Sequence, residues 1–235
     1  MSDRRDGRIF KALSLLLAYP QAEIRGALPD IRAAVMAEGA LPAAVREGLR
    51  ALIDEWAATP QLDLEERYVT LFDRTRGLSL DLFEHIHGEA RDRGQAMVDL
   101  KALYRCHGFD LAVPELPDHL PLFLEFLSTR PRAEARALLG RVGHILARLA
   151  ARLGERESRY AAALEALVAL ADERTAAEVT AAPAAADTLD DPNDLAALDR
   201  AWAEEAVTFG PAACPAAGRC PAAGVPRPPA PHRKA

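Results

Sequence analysis

The sequence predicts an all-α fold, a single helical bundle that ends in a disordered tail. Alanine and leucine lose little on entering a helix, and they dominate a composition with only 6% aromatic residues and few β-branched ones. Apolar residues recur with helical spacing almost everywhere before residue 174. Proline and glycine fall chiefly between these stripes, where helices stop and start. With 235 residues, half of them hydrophobic and 27% charged, the chain can bury one substantial core or two small ones.

Ile9, Leu13, Leu16 and Leu17 form the first stripe, which ends at Tyr19-Pro20 because the residue before a proline is pushed out of the helical region. A second helix is expected from about Ala22 to Ala37, and a third from about Pro42 to Ala58, with proline in its first turn and Pro60 past its end. Asp63 and Glu66 have capping-box spacing, and Leu64, Tyr68, Leu71 and Phe72 share one helical face. After a break around Gly77, a long segment from Leu80 to Cys106 is interrupted near Gly88. Pro114 and Pro117 mark a loop, and Asp118 is placed to cap a helix whose first turn tolerates Pro121. That helix is predicted to be central, because Leu120, Phe123, Leu124 and Leu127 line one side and Leu122 and Phe126 another. One further amphipathic helix carries Leu138, Val142, Ile145, Leu149 and Leu153. Another carries Tyr160, Leu164, Leu167 and Ala171, with Glu155 and Arg159 spaced to pair.

Residues 1–174 are therefore expected to form the core and 175–190 a linker or weak helix. A C-terminal helix is expected over 191–209, with Leu195, Leu198 and Trp202 on one side. Residues 210–235 form a Pro/Ala-rich basic tail with too little apolar surface to offset its ordering entropy.

No apolar run approaches the ~20 residues of a membrane span, and no small-residue cleavage site follows the first apolar cluster, Ala12 to Tyr19. A soluble cytoplasmic protein without stable membrane insertion is expected. The cysteines, Cys106, Cys214 and Cys220, are too few and odd in number for a disulfide framework. The net charge is −6, and the last 25 residues hold Arg219, Arg227, Arg233 and Lys234 but no acid, so 25 basic residues face 35 acidic ones in the remainder. An acidic body disfavours nucleic acid and suits a basic ligand.

Glu84 and His87 form a Glu-x-x-His pair of the kind that di-iron bundles use twice. The second pair is missing, because Glu115 and His119 straddle a proline, and no metal site is expected. His85 and His87 point apart on a helix and read as histidines bonded to nearby backbone or carboxylates. Arg91, Asp92 and Arg93 form either a binding patch or a solvated face, with Glu89 spaced to pair with Arg93. Gly94 costs ~1 kcal/mol against alanine in a helix, which a close backbone approach would explain. Met97, Leu100 and Tyr104 read as core, and Cys106 as a small buried hydrophobe. Asp118-His119 lacks a nucleophile and an oxyanion-hole glycine run, and no phosphate-cradling loop is present. Cys214 and Cys220 alone cannot close a four-ligand zinc site. Neither a catalytic residue nor a cofactor is expected.

Residues 62–73 (LDLEERYVTLFD), 81–100 (DLFEHIHGEARDRGQAMVDL), 116–127 (LPDHLPLFLEFL) and 151–164 (ARLGERESRYAAAL) resemble the NarJ family of nitrate reductase assembly chaperones, the nitrate reductase delta subunits. The likeness runs from the first helix to about Phe209, with Trp202-Ala-Glu-Glu in keeping, and stops before Cys214. Glu84, His85, His87, Gly88, Arg91, Arg93 and Gly94 carry its most specific part. Pro117 and Leu120, in the Pro-Asp-His-Leu element, are shared more widely with TorD/DmsD chaperones of molybdenum enzymes. The resemblance implies a TorD/NarJ-type bundle without enzymatic activity. It also implies binding to the N-terminal segment of the apo catalytic α subunit (NarG) of respiratory nitrate reductase. Molybdenum cofactor insertion and complex assembly would be assisted before membrane docking. The alternative is a twin-arginine leader-binding chaperone for another molybdoenzyme. Either role needs an apolar groove with acidic groups for an amphipathic basic helix. Tyr68, Leu71, Phe72, Tyr104, Asp118, His119 and Phe123 are the expected groove or groove-edge residues, in a chain expected to be a monomer.

Overall fold

The computed structural model describes residues 7–85, 90–111 and 115–171, and among them ten α-helices and no strand occur. In chain order these are α1 (Arg8–Leu17), α2 (Ala22–Gly26), α3 (Leu28–Ala37), α4 (Ala43–Ala58) and α5 (Gln61–Tyr68). There follow α6 (Ala90–Cys106), α7 (Leu120–Ser128), α8 (Arg132–Arg141), α9 (Gly143–Glu155) and α10 (Ala161–Leu170). The fold is all-α, as the composition predicts. The expected linker at 175–190, helix at 191–209 and tail at 210–235 lie outside the described residues, as do Cys214 and Cys220.

α7 is the centre of the bundle. Leu120, Pro121, Leu122, Phe123, Leu124, Phe126 and Leu127 are all buried. It packs most extensively on α1, which buries Ile9, Phe10, Leu13, Leu16 and Leu17 against it, and the Ser14 hydroxyl donates to the Pro121 carbonyl at 2.7 Å. α9 and α10 form a second close pair, and α10 also packs on α4. Between these layers Trp56, Tyr68, Phe72 and Tyr160 contact one another, with Phe72 and Tyr160 edge to face at 5.1 Å. One continuous apolar cluster joins all of these elements.

Several expected elements are divided or shifted. The helix expected from Ala22 to Ala37 is two helices, because the chain turns at Ala27 and Pro29 then occupies the first turn of α3, where a missing amide hydrogen costs nothing. The Asp63/Glu66 capping box does not form. α5 begins earlier, after Pro60, and Asp63 lies in its first turn, where its charge complements the helix dipole. The chain continues from α5 as a π-helical turn, Val69–Asp73, closed by the Arg74 N–H on the Val69 carbonyl at 2.9 Å. Tyr68 and Phe72 stay buried across this widened turn while Leu71 is only partly so.

Among the described residues, the segment from Leu80 to Cys106 is α-helical from Ala90. Arg76–Leu78 and Leu82–His85 are short 3-10 turns. The stripe from Leu138 to Leu153 breaks at Val142 into α8 and α9, yet all five of its residues remain buried. Glu155 does not pair with Arg159, since the chain leaves the helix there and Glu157 takes φ 53°. The Arg159 Nε instead reaches Glu55 Oε2 at 2.8 Å. Of the expected core residues on α6, Leu100 and Tyr104 are fully buried, whereas Met97 and Cys106 are partly so.

Two glycines separate packing from propensity. A Cβ on Gly48 would stand 2.9 Å from the Ala162 Cβ, so α4 and α10 approach closely there. A Cβ on Gly94 would meet nothing within 4 Å, so the close approach expected at that position does not occur. Gly48→Val should therefore lower the free energy of unfolding by about 1–3 kcal/mol through overpacking. Gly94→Ala should raise it by up to ~1 kcal/mol through helix propensity and unfolded-state entropy. Urea denaturation of the two variants checks both signs.

Candidate functional site

The Pro-Asp-His-Leu element enters α7 along a short two-stranded contact. Leu82 N–H donates to the Asp118 carbonyl at 3.1 Å and Leu120 N–H to the Leu80 carbonyl at 2.8 Å, so Asp81 and His119 form an antiparallel bridge. Asp118 does not cap α7, because His119 is the N-cap residue and Asp118 Oδ2 instead accepts from Phe83 N–H at 3.0 Å. Asp118 is fully buried, and burial raises its pKa, opposed mainly by that Phe83 hydrogen bond. His119 Nδ1 lies 3.0 Å from Asp81 Oδ1 at the outer side of the bridge. The Tyr104 hydroxyl donates to the Pro117 carbonyl at 2.6 Å and fixes the loop from behind.

From the other side α9 holds the 3-10 turns. Arg148 donates to the His85 carbonyl at 3.1 Å and Arg152 to the Gly77 carbonyl at 2.5 Å. His85 Nε2 sits 2.8 Å from the Ser79 carbonyl, and burial pushes its imidazole down to about 4, with Arg148 and Arg152 adding to the effect. Arg93 Nη1 reaches Glu84 Oε1 at 3.3 Å, so the arginine expected to pair with Glu89 has this partner among the described residues.

These contacts shape a bipartite cleft. One half, about 400 Å³, is lined by Lys11, Leu15, Tyr19, Tyr68, Leu122 and Glu125 among others. The second, about 450 Å³, includes Phe72, Arg76, Asp81 and Glu84. Tyr68, Asp73 and His119 border both halves. Tyr68 donates to the Leu17 carbonyl at 3.0 Å and meets Tyr19 edge to face at 5.5 Å. Tyr19 is 40% exposed and stands at the mouth. Partial desolvation, and then Glu65 and Asp73, raise its hydroxyl's pKa.

The rim is acidic. Asp73, Asp81, Glu84, Glu115 and Glu125 line the two halves against Lys11, Arg74 and Arg76. Glu125 pairs with Lys11, Glu84 with Arg93 and Asp81 with His119. Asp73 and Glu115 are exposed and have no ion-pair partner among the described residues. Such a cleft can take a cation beside an aromatic surface. It has no nucleophile and base poised together, and no group of three or more metal-binding side chains occurs among the described residues.

Of the residues expected at a groove, Tyr68, Phe72 and His119 line this cleft, and Leu71 stands beside it, half-buried. Tyr104, Phe123 and Asp118 are fully buried and reach it only through the residues they hold. Leu120 is also core, and Pro117 serves through its carbonyl. His87 and Gly88 lie outside the described residues, as does the side chain of Arg91. Sequence reasoning missed Tyr19, Asp73 and Glu115. The only signal for Tyr19 was its place before Pro20, read there as a helix stop.

A family model described as "Nitrate reductase delta subunit" matches residues 38–166, a span that contains the bridge, the π turn and both unpaired acids. The chain is 44% identical over 197 residues to the nitrate reductase molybdenum cofactor assembly chaperone NarJ of Escherichia coli (strain K12), covering 84% of this chain and 83% of that protein. It is 38% identical over 202 residues to the probable chaperone NarW of the same organism, with 86% and 84% covered. A probable NarJ of Bacillus subtilis (strain 168) is 36% identical over 160 residues, 68% of this chain and 86% of that one.

His85 gives the site a pH signature. Unfolded, its imidazole takes a proton near 6.5; folded, only near 4. Within that window the unfolded state binds more protons, so stability falls as pH drops, by up to about 3 kcal/mol from this group. His85→Gln keeps a donor for the Ser79 carbonyl and should flatten this part of the profile, as read by urea midpoints at pH ~7.5 and ~4.5. Equal pH dependence in the two proteins would refute the assignment.

Proposed function

Because the chain belongs to the nitrate reductase delta subunit family, whose named relatives are assembly chaperones and not catalysts, we propose that it is a dedicated chaperone of respiratory nitrate reductase. In this reading it binds the N-terminal segment of the apo catalytic α subunit, NarG. It keeps that subunit competent for molybdenum cofactor insertion and complex assembly before membrane docking. The bound segment is an amphipathic helix with basic residues, and the acidic, tyrosine-walled cleft receives it.

The observation that carries the proposal is the pair of exposed carboxylates, Asp73 and Glu115, beside Tyr19 and Tyr68. A peptide cation there gains an ion pair without displacing an existing one, and its apolar face lies on Tyr19, Leu15 and Leu122. Tyr68 and His119, which border both halves of the cleft, set its depth. Their backbone and side-chain bonds hold that shape before any ligand arrives, which limits the ordering cost of binding. The protein's part is thus to bind and present, and no covalent step is needed. Among the described residues no helix is long and apolar enough to cross a membrane.

A synthetic N-terminal α-subunit peptide should bind the full chain with micromolar or tighter affinity in calorimetry. Asp73→Asn and Glu115→Gln should each weaken binding by about 3–10-fold, roughly 1 kcal/mol. Added salt should act in the same direction. Absence of heat and of competition would overturn the proposal. Unchanged affinity in both variants would move the site elsewhere on the chain. If a twin-arginine leader outcompetes the α-subunit peptide, the chaperone serves an exported molybdoenzyme instead.

A further inference from the structure

A second groove adjoins the cleft along α1, between α1 and α3. Its volume, about 890 Å³, is roughly twice that of either half of the acidic cleft. Ile9, Ala12 and Ile31 are buried at its base, Leu15 and Ala34 are partly so, and the exposed Ala33 and Ala37 complete an alanine-rich lining. Short side chains there leave room for a large one to enter.

The groove is less acidic than the cleft. Arg8, Lys11 and Arg132 line it, against Asp30 and Glu38. Arg132 is bound to Glu38 at 2.8 Å and Lys11 to Glu125, while Arg8 and Asp30 have no ion-pair partner among the described residues. An amphipathic segment with bulky apolar residues and a carboxylate for Arg8 suits this lining.

The chain contains such a segment. Residues 190–205 hold Asp190, Asp191, Asp194, Asp199, Glu204 and Glu205 against a single Arg200, with Leu195, Leu198 and Trp202 at helical spacing. The point at which the described chain ends is also close by. The Ala171 carbonyl lies 3.5 Å from Arg136 Nη2, one helical turn along α8 from Arg132 in the groove wall. The 19 residues from 172 to 190 reach roughly 60 Å when extended. Tethering on this scale gives an effective concentration on the order of a millimolar, so even a weak contact is populated.

We propose that residues 191–209 dock as a helix in the α1–α3 groove of their own chain, with Leu195, Leu198 and Trp202 on its alanine-rich lining and an acid of the segment toward Arg8. The acidic cleft is left to the partner peptide. Lys11 and Leu15 line both depressions, so the docked segment abuts the cleft across α1.

The chain has two tryptophans, and Trp56 is fully buried, so the difference between wild type and Trp202→Phe isolates the Trp202 emission. In the full chain that emission should be blue-shifted and several-fold less quenched by acrylamide than in a free peptide of residues 190–210. Ala33→Glu with Ala37→Glu places two acids on exposed groove positions without touching the core, and should restore quenching toward the peptide value. Trp202 quenched in wild type as in the peptide overturns the proposal. So does shielding that survives the double substitution, which places the segment elsewhere, or shielding that grows with protein concentration, which assigns the groove to a second copy. None of these outcomes alters the α-subunit peptide titration, so the two readings fail separately.

Discussion

A nine-residue helix that is apolar on nearly every side must be enclosed, and most of the bundle follows from enclosing α7. Burial removes water from its ends as well as its sides, so its terminal polar groups need partners from the protein. At the entry, Leu120 N–H finds the Leu80 carbonyl and Ser14 reaches the Pro121 carbonyl. At the exit, Ser128 and Thr129 turn their hydroxyls back onto the carbonyls of Glu125 and Phe126. The entry bond draws residues 80–83 alongside 118–120 and brings Asp81 to His119. The floor of the candidate cleft is thus a by-product of sealing the N-terminus of a buried helix, and Asp118 is spent on holding that seal.

What could be read in advance was local. The apolar pattern of α7, the proline boundaries of α4 and the burial of Tyr160, Leu164 and Leu167 depend on residues near one another in sequence, and they were legible. The bridge was not, because it joins residues separated by 38 positions. Asp118 has the residue type and place of a helix cap, and only the tertiary arrangement turns its oxygen toward Phe83. Tyr104 and Phe123 show why a groove is hard to read from pattern: an aromatic on an apolar face looks the same whether the face meets core or ligand. Asp73 escaped notice for another reason. The π turn that ends at it departs from the helical period and brings Asp73 to the cleft.

Two depressions of different lining meet along α1. The side facing His119 and Tyr68 collects carboxylates, while the side facing α3 collects alanines with arginine at one end. Lys11 belongs to both but is committed to Glu125, so it adds little free positive charge to either.

The aromatic rings form a continuous column. Tyr19 at the surface touches Tyr68, Tyr68 touches Phe72, Phe72 touches Tyr160, and Tyr160 meets Trp56 at 6.4 Å, each contact tilted or edge to face. Three tyrosines thereby stand in single file before an indole sealed from solvent. Excitation of any of them can pass by resonance transfer toward Trp56, the buried end of the file.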